Sequence, residues 1–142
     1  MPRIAGLDVS FIDGKGIAFV VYFQGCSLRC RGCHNPSLQD PDGGFVASIH
    51  SIMNAFDAKL CDSVVFMGGE PLEQEAALLE LASQFAVEKW LYTGYTDISD
   101  EVRGTFDVIV AGPYVQSLAT DSFPASSNQV VIRRGYEVTG DV

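Results

Sequence analysis

Gln24-Gly25-Cys26-Ser27-Leu28-Arg29-Cys30-Arg31-Gly32-Cys33-His34-Asn35-Pro36 carries three of the four cysteines of this chain, spaced C-x3-C-x2-C. The run just before it, Ile17-Ala18-Phe19-Val20-Val21-Tyr22-Phe23, is apolar, aromatic and β-branched. That composition over so short a run reads as a buried strand. The cysteines therefore leave the end of a strand on one loop. Three thiolates on one short loop converge on a single iron–sulfur cluster. A [4Fe–4S] cube normally takes four thiolates, so three protein ligands, Cys26, Cys30 and Cys33, leave one iron open, as a catalytic zinc site keeps one position open. A structural zinc site is the competing reading of a C-x2-C pair, but it needs four closed ligands. The fourth would have to be His34, adjacent to Cys33, or the remote Cys61. A disulfide with a spare thiol has no secreted framework around it.

The 142 residues amount to one domain, long enough to bury a core. Apolar residues make up 47% against 19% charged, which excludes a disordered chain. Nine Lys and Arg against eighteen Asp and Glu give a net charge of −9. An acidic chain without a basic cluster is a poor binder of nucleic acid or of an anionic membrane surface. No signal peptide is visible, and the apolar run after Asp13 is too short to span a bilayer. Crowded thiols kept for metal point to a reducing, cytoplasmic location.

Outward from the cysteine loop, the pattern alternates strand and helix. Residues 3–12 read as an edge strand, and Asp13-Gly14-Lys15-Gly16 as a hairpin turn. Phe45, Val46, Ile49, Ile52, Met53, Phe56 and Leu60 recur at helical spacing. Strands follow at 63–67, 89–92, 106–111 and 128–133, with a helix over 71–86 and a short acidic one over 97–103. Pro71 suits a first helical turn, and Glu73, Gln74, Glu75 and Glu80 are assigned outward. The tail after Tyr136 is expected to fray. Such βα units build a mostly parallel sheet whose strands end on one edge, where ligands bind. Four strands carry a glycine-containing polar motif at that end: Gly25-Cys26, Gly68-Gly69-Glu70, Thr93-Gly94-Tyr95 and Gly112-Pro113-Tyr114. Glu70 offers a carboxylate to an amine and Thr93 a hydroxyl to a carboxylate, the two groups of an α-amino acid. For Tyr95 and Tyr114 a site role and a packing role are both open. Cys61, Trp90 and Asp107 read as structural.

Cys26-x3-Cys30-x2-Cys33 followed by Gly68-Gly69-Glu70-Pro71 resembles the radical S-adenosylmethionine (SAM) enzymes. The resemblance implies a partial, open (βα) barrel, with about five to six mostly parallel strands counted along the chain, too few to close the eight-stranded form. It implies a SAM whose amine and carboxylate chelate the open iron, with Gly68, Gly69 and Glu70 at the amine. One electron then yields a 5′-deoxyadenosyl radical. Tyr92-Thr93-Gly94-Tyr95, Asp107 to Tyr114 and Ser126-Ser127-Asn128-Gln129 are further similar to activating proteins of anaerobic (class III) ribonucleoside-triphosphate reductases. For that family the radical takes a hydrogen from a glycine of the reductase large subunit, with a flavodoxin-like electron donor. The matches run from the first strand to the last. Two positions depart from the family: Gly14-Lys15-Gly16 replaces a Gly-Pro-Gly with a nearby Arg, and His34 replaces the aromatic residue that stacks near the SAM adenine. Cys-His-Asn also occurs in activases of other glycyl-radical enzymes. A small-molecule radical SAM enzyme, such as a deazapurine synthase, and a non-catalytic metal module complete the alternatives. Small-molecule enzymes need extra wall elements to enclose a substrate, and this chain has little beyond its βα units.

Overall fold

The computed structural model describes residues 1–33, 36–121 and 123–134, and the backbone of 136–139. Its strands are β1 (Arg3–Ser10), β2 (Ala18–Phe23), β3 (Phe45–Val46), β4 (Ser63–Gly68), β5 (Glu88–Thr93), β6 (Val108–Ala111), β7 (Val130–Arg133) and β8 (Tyr136–Thr139). They form one sheet in the order β3-β1-β2-β4-β5-β6-β7-β8. The two ends of that order do not pair with each other, so the sheet is open. Its helices are α1 (Ile49–Ala55), α2 (Glu75–Ala82) and α3 (Asp100–Thr105).

The architecture is α/β, as expected, but the strand count and the parallel character are corrected. Eight strands stand among the described residues instead of five or six. Only the pairings β2–β4, β4–β5 and β5–β6 are parallel. Both flanks are antiparallel: β1 and β3 on one side, β7 and β8 on the other. β1 is not the edge, because the two-residue β3 pairs outside it. The tail expected to fray supplies β8, paired residue for residue with β7 from Val130↔Thr139 to Arg133↔Tyr136.

Strict alternation along the central strands builds two cores. Phe19, Val21, Phe23, Val64, Phe66, Leu91, Ile109 and Ile132 face the helices. Ala18, Val20, Val65, Trp90, Val108 and Val131 form a smaller cluster on the opposite face. Successive side chains of a strand point to opposite faces, and strands covered on both faces read as continuous apolar runs. On the helix side Phe66 is the hub, its ring 5.7 Å from Phe106, 5.9 Å from Phe85 and 6.5 Å from Phe23. On the other face the 11–16 turn folds back over the sheet, and the Tyr92 hydroxyl donates to the Asp13 carbonyl at 2.7 Å. Phe123 packs on the same face against Trp90 and Tyr92.

The helices are shorter than their apolar spacing suggests. Ser48 caps α1 by accepting from the Ser51 N–H, so Phe45 and Val46 lie before the cap and enter β3. Over 71–86 the chain begins with a 3-10 turn, Pro71–Gln74, before α2. The buried residues that follow are Leu78, Leu81, Ala82 and Phe85, with Leu72 and Leu79 packed partly buried against the same core. Asp107 is structural as expected: its carboxylate accepts from the Lys89 N–H at 2.9 Å and pairs with Arg134 at 3.3 Å.

Phe66→Ala should lose about 3–5 kcal/mol of stability, because the ring is fully buried among three other aromatic rings. Urea denaturation of the variant against the parent chain measures this.

Candidate functional site

The parallel strands β2, β4, β5 and β6 end on one edge, and a cleft of about 570 Å³ opens there. All four strand-end motifs contribute to it: Cys26, Gly68, Gly69, Glu70, Thr93, Gly94, Gly112 and Tyr114 line the cleft. Cys30 and Cys33 line it too, so the three clustered cysteines share one space. All four cysteines are thiols, and Cys61 lies buried in the helix-side core. His34 lies outside the described residues.

Short backbone bonds place the cysteine loop. Gly25 N–H donates to the Leu38 carbonyl at 2.7 Å and Cys26 N–H to the Gln39 carbonyl at 3.0 Å. Glu70 N–H donates to the Gly25 carbonyl at 2.8 Å, which joins the β4 end to the β2 end. Position 69 must be glycine: a Cβ there would strike the carbonyl oxygens of Gly25 and Leu38. Gly94 is needed for a related reason, since the Leu28 side chain packs directly on it. Cys33 N–H closes a turn onto the Cys30 carbonyl at 3.1 Å. The Gln24 carboxamide, 5% exposed, donates to the Ser37 and Asp40 carbonyls and fixes the return of the loop.

Glu70 is the buried charge of the site, 1% exposed. Its Oε2 accepts from the Leu72 N–H at 2.9 Å and the Thr93 hydroxyl at 2.7 Å, and its Oε1 from the Gly94 N–H at 2.6 Å. Desolvation pushes its pKa above the usual carboxylate range, and the bonds from Thr93, Gly94 and Leu72 work against that rise. The Thr93 hydroxyl is thus committed to Glu70, instead of facing a ligand carboxylate as its position in the sequence suggests. It also accepts from the Tyr95 N–H at 3.1 Å. Tyr95 is not among the cleft-lining residues. Its hydroxyl donates to Glu73 at 2.8 Å.

Two residues assigned outward are tied into the site. Gln74 donates to the Arg3 and Gln24 carbonyls and accepts from the Arg3 N–H. Glu73 accepts from the Ser27 N–H and hydroxyl beside Cys26. Desolvation raises the Glu73 pKa, but the bonds from Ser27 and Tyr95 outweigh it and hold the carboxyl below its ordinary value. Neither role leaves a mark in the local pattern, since both partners are far away in sequence.

The donor set suits an iron–sulfur cluster. Burial pushes the Cys26 thiol up, the Leu28 backbone pulls it down, and Glu70 and Glu73 push it up again. A bound metal reverses this by taking the thiolate. Among the described residues no three Cys, His, Asp or Glu side chains stand close enough for a single metal ion. Cys26, Cys30 and Cys33 line one cleft, and three thiols from one loop are the donor set of a [4Fe–4S] cluster that keeps one iron free of protein ligands. Asp13, Glu70 and Asp121 line the cleft, and among the described residues no lysine or arginine does.

Thr93→Val removes one of the three bonds to Glu70 and should cost about 1–3 kcal/mol at neutral pH. The Glu70 pKa is raised in the folded chain, so its contribution to stability is complete below its ordinary value and declines as pH rises. Losing the Thr93 bond raises that pKa further. The penalty should therefore be larger at about pH 8 than below roughly pH 4.3, the ordinary glutamate value. Denaturation midpoints across that range check the sign.

The model of the 4Fe-4S single cluster domain family matches residues 12–132. The anaerobic ribonucleoside-triphosphate reductase-activating protein of Enterobacteria phage T4 is 29% identical over 133 residues, 84% of this chain and 85% of that protein. The pyruvate formate-lyase-activating enzyme of Clostridium pasteurianum is 36% identical over 89 residues, 57% of this chain and 37% of that enzyme. A putative glycyl-radical enzyme activating enzyme of Methanocaldococcus jannaschii is 35% identical over 86 residues, and the matched part is 34% of its length. The chain thus spans about a third of the length of the latter two relatives. Among the described residues no helix is long and apolar enough to cross a membrane. With a family match from the 11–16 turn to β7 and three thiols in the cleft at the strand ends, the chain belongs to the 4Fe-4S single cluster domain family.

Proposed function

We propose that this chain cleaves SAM reductively at a [4Fe–4S] cluster and generates a glycyl radical on the large subunit of an anaerobic ribonucleoside-triphosphate reductase. The observation that carries the proposal is that three thiols and the buried Glu70 line one cleft at the ends of parallel strands. Cys26, Cys30 and Cys33 would hold three irons, leaving the fourth to the SAM amine and carboxylate. The cluster and SAM would supply one-electron reductive cleavage and, through it, hydrogen-atom abstraction from glycine, the electron coming from the donor and the products being methionine and 5′-deoxyadenosine. A flavodoxin-like protein is the proposed electron donor, in a cytoplasmic setting.

The chain's own residues bind, orient and exclude. A carboxylate has about four acceptor sites. Three of those of Glu70 are used internally, which leaves capacity for one ammonium N–H. Gly68 and Gly69 let the backbone approach the same group. Thr93 acts by holding Glu70, and His34 is assigned to the adenine. A cleft lined by carboxylates without cations favours a sulfonium with an ammonium and disfavours phosphates. The parallel centre of the sheet and its open order support the reading as a partial (βα) barrel of the radical SAM type. Such a sheet leaves the reaction exposed, and water must be excluded from the radical. The partner's glycine-bearing loop is proposed to close it. Glycine has no side chain to obstruct approach to its Cα.

The phage reductase activase, matched over 85% of its length, favours the reductase as partner. The 36% identity to a pyruvate formate-lyase-activating enzyme favours a second reading, an activase of another glycyl-radical enzyme.

After anaerobic reconstitution, Cys26→Ala, Cys30→Ala and Cys33→Ala should each lose the cluster by iron content and visible absorbance, and Cys61→Ala should keep it. Glu70→Ala should retain iron yet bind SAM about tenfold or more weakly by calorimetry, as expected for loss of a charge-assisted bond. Unchanged SAM affinity in that variant would exclude Glu70 as the partner of the SAM amine.

With SAM, reductant and the cognate large subunit mixed anaerobically, a doublet glycyl signal should appear in electron paramagnetic resonance. The same subunit with its radical-site glycine changed to alanine should bind and stay silent. Signal only with another glycyl-radical enzyme would select the second reading. SAM cleavage with no protein radical would point to a small-molecule substrate.

A further inference from the structure

The cysteine loop is held unevenly. Its first arm is secured by backbone bonds from Gly25 and Cys26 to the carbonyls of Leu38 and Gln39. Beyond Cys26 the chain leaves those partners, and Ser27, Leu28 and Arg29 bridge to Cys30. A polar anchor for this bridge from outside the loop is Glu73, in the 3-10 turn that follows Gly68-Gly69-Glu70. One carboxylate takes the Ser27 N–H at 3.2 Å, the Ser27 hydroxyl and the Tyr95 hydroxyl at 2.8 Å. The Leu28 and Arg29 backbones hydrogen-bond the Cys26 thiol within the loop, and the tether from the Arg29 guanidinium to the Gln39 carbonyl is long at 3.5 Å. Arg29 itself sits at φ +54°, a left-handed conformation that an arginine does not choose unaided. Leu28, between the two, packs on Gly94, the residue before Tyr95.

These contacts form a closed circuit of three strand ends. Ser27 follows the β2 end, Glu73 the β4 end and Tyr95 the β5 end, and all meet at one carboxylate. None of the three lines the cleft. Their arrangement therefore acts on the cleft only through what they hold: the backbone between Cys26 and Cys30, and the Leu28–Gly94 contact that walls the cleft.

We propose that Glu73 is a positioning residue for the cluster loop, fixing the Cys26–Cys30 span through Ser27 and bracing it against the β5 end through Tyr95. The proposal rests on Cys26, Cys30 and Cys33 holding a [4Fe–4S] cluster. A carboxylate is the required group, because Oε2 accepts all three donors while Oε1 shares the Ser27 N–H. A glutamine that kept its oxygen toward the two hydroxyls would turn its own amide N–H groups toward the Ser27 N–H. Loss of the strap frees the Ser27–Cys30 backbone without touching a cluster ligand, so the cluster assembles and becomes labile.

The test is iron release from the reconstituted protein to a chelator in the absence of oxygen, with the resonance spectrum of the reduced cluster recorded with and without SAM. Glu73→Ala and Glu73→Gln should assemble the cluster but release iron roughly three- to tenfold faster, the scale of losing solvent-facing bonds to a charged group. Their spectral change on adding SAM should be broadened or reduced. Ser27→Ala should show a smaller effect of the same kind, and the Ser27→Ala/Glu73→Ala double variant should be no worse than Glu73→Ala alone, because both remove one interaction. Tyr95→Phe should fall between the parent and Glu73→Ala. Cys61→Ala, which touches none of these groups, should match the parent. Parent-like iron release and spectra in Glu73→Ala would overturn the proposal and leave the cluster reading intact. Additive effects of Ser27→Ala and Glu73→Ala would also overturn it, since a general loss of stability adds where a shared contact does not. Absence of a cluster from the parent protein would overturn both readings together.

Discussion

Glu70 is the group on which the site depends. A carboxylate removed from water is costly unless its lone pairs are met. In this chain they are met by two backbone N–H groups and one hydroxyl, from the turn after β4 and from the end of β5. The same residue caps the 3-10 turn that leads into α2. One side chain therefore joins two neighbouring strand ends and starts a helix. Its backbone N–H reaches a third strand end through the Gly25 carbonyl. Desolvation raises its pKa, these donors work against that rise, and a cation in the cleft would favour the ionised form further.

Around that centre, close backbone approach does what side chains cannot. Gly69 passes the carbonyls of Gly25 and Leu38 at a separation that leaves no room for a Cβ, and Gly94 accepts the Leu28 side chain in the space its own would fill. The cysteine loop is thereby pressed onto the ends of β4 and β5. The two apolar clusters give this edge a rigid base. The helix-side core is the larger, with interlocked phenylalanines. The opposite face carries a thin cluster covered by the 11–16 turn and Phe123. The cleft opens on that thinner side, where Met67, Tyr92 and Phe123 are all lining residues.

Much of this is legible from residue order. The β2 run, the C-x3-C-x2-C loop, the Gly-Gly-Glu-Pro turn and the alternation of strand and helix specify an α/β sheet. They also specify which edge carries the site, because parallel strands joined by right-handed crossovers must end together. That rule assigns four separate glycine-containing motifs to one edge, and residues from all four line the cleft. Cys61 reads as a packing residue because buried free cysteine is common and usually inert, and it sits in the helix-side core.

Tertiary structure alone decided the rest, for a consistent physical reason. Periodicity reports which face of a local element is buried, and says nothing about where a polar side chain finds its partner. Glu73 and Ser27 are 46 residues apart, Glu70 and Thr93 23, and Glu73 and Tyr95 22. Only the packing of neighbouring strand ends brings them together. The same limit explains the antiparallel flanks. Phe45 and Val46 continue a helical spacing, yet pairing with β1 and the Ser48 cap claim them for a strand. Residues 136–139 carry no strong local signal, but β7 offers an unpaired edge whose backbone groups need partners, and β8 supplies them. The sequence by itself determined the sheet's class, its binding edge and the thiols set there. The folded arrangement decided which carboxylate meets which donor, because those contacts join chain segments that become neighbours only when the sheet is assembled.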